Sequence, residues 1–312
     1  MTALKIIFMG TPEFATPCLQ AVIDSPHEIV AVVSQPDRPV GRGRKMTPPP
    51  IAALASKNQL KLFQWEKLNQ ESYDALSALE CDLAIVVAYG KILPQRYLDL
   101  PRLGCLNVHS SLLPAWRGAA PIQWAVINGD RETGVSIMRL DAGMDTGDVA
   151  LQQRTEIGAD ETAGELHDRL ALIGAEALSN VIEQLVDGRA EFTQQEHERA
   201  THARRLAKSD GLVDWHQPAL AVHNHIRGMS PWPGAYVTTP AGPLKIHGSR
   251  PVPGQGQPGH IIAIESDGPV IACESGGVVL TGLQRPGKKR VRGDEYVRAY
   301  ELNVGQPLVQ ES

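Results

Sequence analysis

The run Asp82-Leu-Ala-Ile-Val-Val-Ala88 has no polar side chain after Asp82, so a strand formed from it presents apolar groups to both faces. Such a strand is stable only between two layers of helices, and this places it at the centre of a largely parallel sheet. Working outward, Leu4-Met9 and Glu28-Ser34 precede it and Leu103-Val108 follows, each separated from the next by a stretch of helix-like spacing. This alternation predicts β-α-β units, an α/β fold class and a mostly parallel sheet. A long helix is expected over Thr162–Val186. Thr162 and Glu165 make a T-x-x-E capping box, Leu166, Leu170, Ile173, Ala177, Val181 and Leu185 follow at steps of three and four, and Asp187-Gly188 stops it.

Beyond Arg189 the pattern is lost until about Gly211, and 189–207 reads as a linker. One helix, Ala219–Arg227, is then followed by short alternating runs at Gly234-Thr239, Gly242-His247, His260-Glu265, Val270-Glu274 and Val278-Leu283, divided by Gly, Pro, Ser and Asp. Their close spacing predicts a small β-barrel. The domains are thus expected at 1–188 and 208–312.

A chain of 312 residues, 42% hydrophobic and 21% charged, can bury a sizeable core, and this excludes a disulfide-stapled peptide and a disordered chain. No apolar run is long enough to cross a bilayer. Cys18, Cys81, Cys105 and Cys273 are scattered without a C-x-x-C pair, which argues against a disulfide framework and a zinc site and points to a reducing cytoplasm. The net charge of -5 hides an asymmetry, with 12 Lys+Arg against 9 Asp+Glu from Arg204 onward and 18 against 26 before it. The basic tail hints at a polyanionic partner.

The motif G-x-G-x-x-G is missing after the first strand, and G-x-x-x-x-G-K-[ST], G-x-S-x-G and H-E-x-x-H are missing throughout. Dinucleotide, NTPase, α/β-hydrolase and zinc-protease chemistry are thereby disfavoured. The informative stretch is Gly104-Cys-Leu-Asn-Val-His-Ser-Ser-Leu-Leu-Pro-Ala-Trp-Arg-Gly118. In a strand ending near His109, the two-residue period sets Asn107 and His109 on one face at the carboxyl end, where open α/β sheets bind ligands. An amide beside an imidazole can polarise a carbonyl and manage a proton. Asp145, in Asp141-Ala-Gly-Met-Asp-Thr-Gly-Asp148, offers a carboxylate able to orient that ring. The same three residues also read as a turn residue, a satisfied buried histidine and a loop cap. A Ser110 or Ser111 nucleophile is disfavoured, because no elbow motif surrounds either.

Two basic elements stand apart. The loop Gln35–Lys45 carries Arg38, Arg42, Arg44 and Lys45 against Asp37 alone and reads as an exposed, mobile arm suited to phosphates. Arg285, Lys288, Lys289, Arg290 and Arg292 form a second cluster within the expected barrel.

The segment His109–Gly118, with Asn107 before it and Asp141-x-Gly-x-Asp145-Thr-Gly147 after it, resembles the 10-formyltetrahydrofolate-dependent formyltransferases. The resemblance extends to Phe8-Met-Gly-Thr-Pro-Glu-Phe14, the Gln35–Gly43 loop, Val87-Ala-Tyr-Gly-Lys-Ile-Leu-Pro94 and Arg117-Gly-Ala-Ala-Pro-Ile122, nearly end to end. It implies a Rossmann-like catalytic domain joined to a C-terminal OB-like β-barrel, acting as a monomer. The reaction implied passes formyl from 10-formyltetrahydrofolate to the α-amino group of methionine on initiator tRNA, in the cytoplasm, during translation initiation. By position, the catalytic residues are Asn107 and His109, which hold the oxyanion, and Asp145, which tunes His109 and assists proton transfer. The folate cleft falls to Ala88, Tyr89, Gly90 and Ile92, to Ser111, Leu112, Leu113 and Pro114, and to Asp141, Ala142 and Gly143. Contacts to tRNA fall to Arg38, Arg42, Arg44 and Lys45, and to Lys208, Lys288, Lys289, Arg290 and Arg292. No metal is called for. A formyltransferase acting on a nucleotide-linked amino sugar, or a non-catalytic RNA-binding module, would share parts of this pattern.

Overall fold

The computed structural model describes residues 3–41 and 43–309. In chain order it runs β1 (Lys5–Gly10), α1 (Thr16–Ile23), β2 (Glu28–Val33), β3 (Arg38–Val40), β4 (Lys45–Thr47), α2 (Pro50–Lys57), β5 (Leu62–Phe63), α3 (Gln70–Ser77), β6 (Leu83–Val87), α4 (Gln95–Leu98), β7 (Cys105–His109), β8 (Arg117–Gly118) and α5 (Pro121–Asn128). There follow β9 (Glu132–Arg139), β10 (Val149–Glu156), α6 (Ala163–Val186), β11 (His202–Ala203), α7 (Ala219–Gly228), β12 (Ala235–Thr239), β13 (Gly242–Val252), β14 (Ile261–Glu265), β15 (Gly268–Ala272), β16 (Gly277–Gln284), β17 (Val291–Arg292) and α8 (Gly293–Ala299).

By chain contacts these elements form two units, one of Met1–Gly118, Thr133–Thr155 and His167–His202, the other of Ala119–Glu132, Glu156–Leu166 and Ala203–Ser312. The first holds a seven-stranded sheet in the order β10-β9-β7-β6-β1-β2-β5. Strands β7, β6, β1, β2 and β5 run parallel to one another and β9 is antiparallel to β7. All five residues of β6 are buried, and it is the middle strand of the seven, as its apolar faces require. After β1 the chain fills one side of the sheet and then returns to β6, so the switch in strand order lies between β1 and β6. Ligands of open α/β sheets bind at the carboxyl ends of such strands.

Helix α6 carries the expected capping box: the Thr162 backbone N–H donates to Glu165 Oε2 at 2.9 Å and the Glu165 N–H donates to Thr162 Oγ1 at 3.2 Å. These bonds hold the Glu165 carboxyl below its ordinary range. Further along, Gly174 lets the helix settle on the sheet, since a Cβ there would come within 2.9 Å of Val108 Cγ1.

The second unit is built on an antiparallel sheet in the order β12-β13-β16-β15-β14, with β17 paired to β16. One core gathers Val222 and Ile226 of α7 with Val237, Leu244, Ile246, Ile271 and Leu280 from the strands. Trp215 packs partly against this core, whereas Trp232 is half exposed. Among the described residues, no helix is long and apolar enough to cross a membrane.

Candidate active site

At the carboxyl ends of β6 and β7 a cavity of about 410 Å³ opens. Val86, Leu93, Leu98 and Leu140 give it apolar walls, and Asn107 and the Asp141–Asp145 loop give it polar ones. The register of β7, with Asn107 opposite Val86 of β6 and Met138 of β9, sets the amide at this edge. Ile92 and Met144 line the same cavity while remaining 85% and 64% exposed. The Tyr89 hydroxyl is buried without a hydrogen-bond partner, and burial pushes its pKa up to about 12. Lys91 fastens the rim by donating to the Trp65 and Glu66 carbonyls, at 2.8 Å for the latter.

His109, two residues beyond Asn107, is 6% exposed. Its Nε2 lies 3.1 Å from the Trp116 carbonyl oxygen, which can only accept, so Nε2 carries a proton and Nδ1 is the nitrogen free to exchange one. Nδ1 faces Asp145 Oδ1 at 3.7 Å, a charge contact longer than a hydrogen bond. Asp145 Oδ2 accepts from the Gly118 backbone N–H at 2.8 Å, and the Asp145 backbone stands at φ 55°, in the left-handed region. Asn107 and Asp145 therefore stand on the cavity wall, and His109, outside the lining, faces Asp145.

The segment joining His109 to Gly118 is fixed from beneath. Ser136 Oγ donates to the Ser111 carbonyl at 2.7 Å and accepts from the Leu113 N–H at 3.0 Å, while Gln152 donates to the Leu113 carbonyl at 2.7 Å. The peptide bond Leu113-Pro114 is cis.

Of the residues expected to line the donor cleft, Ala88, Tyr89, Ile92, Asp141, Ala142 and Gly143 share the cavity with Asn107. Gly90 lies between two of them at φ 84°. Ser111–Pro114 are not among that cavity's lining residues: Ser111 is fully buried, Leu112 is half-buried, and Leu113 and Pro114 line a second cavity of about 370 Å³ with Val149–Gln152, Thr193–Glu196 and Arg199. Asp141 shapes its own loop, accepting from the Gly143 N–H at 3.0 Å and Thr146 Oγ1 at 2.7 Å.

Two further polar residues belong to the site, and neither is marked in the sequence by a role of its own. Gln195, in the aperiodic segment after α6, is buried, and its Nε2 donates to the Asp145 carbonyl at 2.9 Å and the Gly147 carbonyl at 2.7 Å. Arg117, also buried, donates to Gln195 Oε1 from Nε at 3.1 Å and from Nη2 at 2.6 Å. Arg117 stands inside the family-like motif, where it gives a signal of position but not of work, and no periodicity marks Gln195.

The basic arm is a β-ribbon rather than an irregular loop. Strand β3 pairs with β4 through Arg38 with Thr47, Pro39 with Met46 and Val40 with Lys45, and all six residues are exposed. Pro39 can occupy this position because both ribbon edges are free for a residue lacking an N–H. Arg38, Arg44 and Lys45 are exposed there, and Arg42 lies outside the described residues. In the second unit Lys208, Lys288, Lys289 and Arg290 are exposed, Arg292 pairs with Asp294 at 3.0 Å, and Arg285 covers the Tyr300 ring at 4.6 Å.

The four thiols are buried, and burial lifts Cys18 and Cys105 to about 12 and Cys81 and Cys273 to about 11. They stay protonated at neutral pH, which removes a thiolate nucleophile. Among the described residues no group of three or more His, Cys, Asp or Glu stands where it could hold a metal ion.

Two family models match the sequence, the formyl transferase model over residues 4–182 and the formyl transferase C-terminal domain model over 205–301. The chain belongs to the formyl transferase family. Within that family it is 44% identical to the methionyl-tRNA formyltransferase of Citrifermentans bemidjiense, over 98% of this chain and 96% of the relative. Among solved structures it is similar to an N-formyltransferase from Helicobacter canadensis in complex with folinic acid and dTDP-3-aminofucose, at TM-score 0.68 and 17% identity over 89% of this chain and 98% of that one. It is also similar to HypX from Aquifex aeolicus in complex with tetrahydrofolic acid, at TM-score 0.63 and 15% identity over 97% of this chain, which spans about half (48%) of that protein. These two likenesses speak for the fold.

Proposed function

We propose that this formyl transferase moves the formyl group of 10-formyltetrahydrofolate to the α-amino group of methionine on initiator tRNA, in the cytoplasm and as a monomer. What carries the reading is a cavity walled by Asn107 and Asp145, with His109 facing Asp145, in a chain 44% identical, nearly end to end, to a methionyl-tRNA formyltransferase. Residues 1–188 would catalyse, and 208–312, joined through 189–207, would hold tRNA.

The residues of the cavity fit a flat heteroaromatic donor. Apolar walls at Val86, Leu98 and Leu140 suit its faces, and the unpartnered Tyr89 hydroxyl and the Asp141 loop suit its polar edge. The donor supplies an acyl group on nitrogen that an amine can displace. The Asn107 side-chain amide, on the cavity wall from the middle of β7, donates to the transferred carbonyl oxygen as negative charge develops there. His109 keeps Nε2 on the Trp116 carbonyl and uses Nδ1, beside Asp145, to take the proton lost by the attacking amine and return it to the donor nitrogen as that leaves. A free α-amino group has a pKa of about 8, so much of it is neutral and nucleophilic at pH 7 with modest help. Proton management and charge stabilisation are then what the chain must provide. Arg38, Arg44 and Lys45 on the ribbon, with Arg42, meet phosphates near the acceptor end, and Lys208, Lys288, Lys289, Arg290 and Arg292 meet the remainder.

The test is transfer of labelled formyl from 10-formyltetrahydrofolate to charged initiator tRNA, with charged elongator methionine tRNA and a nucleotide-linked amino sugar as competing acceptors. Label on the initiator tRNA is expected. Label on the sugar alone would overturn the assignment of acceptor.

A further inference from the structure

We propose that Gln195 is a positioning residue for the transfer, holding the Asp145 carboxylate against His109 with Arg117 as its own anchor. The inference rests on the reading that Asp145 takes part in the reaction.

Asp145 stands at φ 55°, in the left-handed region that non-glycine residues adopt infrequently and Asp more readily than most, and hydrogen bonds hold it there. Those bonds come from two directions. On the side chain, the Gly118 N–H fixes Oδ2. On the backbone, the single Gln195 amide spans the carbonyls of Asp145 and Gly147, one on each side of Thr146, using both of its N–H groups. The orientation of that amide is dictated by Arg117, whose Nε and Nη2 both donate to Oε1, so a flipped amide would face donors with donors.

The anchors are themselves fixed. Thr193, two residues before Gln195, exchanges both backbone hydrogen bonds with Val149 at 2.9 Å. The Arg117 backbone N–H donates to the Thr201 carbonyl at 2.9 Å, and its Nη2 also meets His197 Nδ1 at 2.9 Å. Arg117 and Gly118 thus control Asp145 from both ends, the first through Gln195 and the second directly. The bridge itself is enclosed, with Gln195 6% and Arg117 5% exposed, so water cannot replace a broken bond between them at low cost. A stretch that reads as linker therefore supplies part of the active site's frame.

A purely structural glutamine would lower stability alone, whereas a positioning residue acts through Asp145. Gln195→Met keeps the shape and removes every bond, and Gln195→Glu keeps the acceptor for Arg117 but turns an oxygen toward the two carbonyls. Each should lower kcat by roughly 10- to 100-fold, on the scale of a misplaced reacting group, with KM for the folate donor nearly unchanged. The pH profile of kcat should change in the direction expected for Asp145→Asn. In a double-mutant cycle, Gln195→Met made on Asp145→Ala should cost little more than Asp145→Ala alone. Losses that multiply would overturn the positioning role while leaving Asp145 in the mechanism. Parent-like kcat in Asp145→Ala alone would overturn the underlying reading and the proposal with it. Should Gln195→Met fail to fold, Gln195→Glu carries the same cycle.

Discussion

His109 Nδ1 stands 3.7 Å from Asp145 Oδ1, and neither group is free to drift from the other. The ring is pinned by the Trp116 carbonyl at Nε2 and the carboxylate by the Gly118 N–H at Oδ2. Both pins come from the segment that runs from β7 through β8, so the conformation of that one segment sets the geometry of the pair.

Replacing His109 with Ala removes the proton carrier and unties Trp116. Turnover with saturating tRNA and donor is expected to fall by roughly 10² to 10⁴, the range for a positioned acid-base group. Steady-state kinetics would decide it, and near-normal turnover would remove His109 from the reaction.

Asp145→Asn keeps the size of the side chain and an oxygen for Gly118 but withdraws the charge facing Nδ1. The pH dependence of kcat should change in shape as well as height. A profile superimposable on the parent's after scaling would mean that the carboxylate does not govern His109.

A side chain at residue 147 has no room, because a Cβ there would collide with the Arg139 backbone carbonyl oxygen. Gly147→Ala should therefore displace the carbonyl that Gln195 holds and the Asp145 backbone with it. We expect a lower melting temperature together with a kcat loss; full activity would show that the loop adapts without consequence.

The ribbon β3–β4 can be tested through salt. Neutralising Arg44 and Lys45 together should weaken tRNA binding and reduce the slope of log affinity against log salt by roughly 0.7 to 0.9 for each phosphate that is no longer neutralised, with donor binding intact. An unchanged slope would place the tRNA interface elsewhere.

Asp210 titrates as part of a structural pair. The Arg204 guanidinium hydrogen bonds, then the Ala207 N–H, lower its pKa from 3.8 to about 2. A depressed carboxyl contributes stability above its unfolded value and loses it as pH falls from about 4 toward about 2. Asp210→Asn should thus melt lower than the parent at pH 7, the gap closing across that window. A gap constant from pH 7 to pH 2 would contradict the pairing.

How much of this is legible in the sequence differs by element for physical reasons. Strand β6 declares itself because burial on both faces demands an unbroken apolar run, and α6 because its stripe begins at a capping box. The convergence of Asn107 and His109 follows from the two-residue period of β7. The ribbon at 38–47 is hidden because basic residues interleaved with Pro and Gly make up most of it and it buries nothing that would leave a pattern. Gln195 is hidden because its role depends on where the chain returns after α6, which no local spacing encodes. The departure of Ser111–Pro114 from the cavity follows from a turn held by Ser136 and Gln152, residues of two other strands.

The most direct test of the account is a single-turnover measurement on Asn107→Ala with both substrates saturating. If the amide holds the developing oxyanion, the rate of formyl transfer should fall by about 10² to 10³ while binding of donor and tRNA is retained. A single-turnover rate equal to the parent's would contradict the claim that the reaction occurs at the carboxyl end of β7.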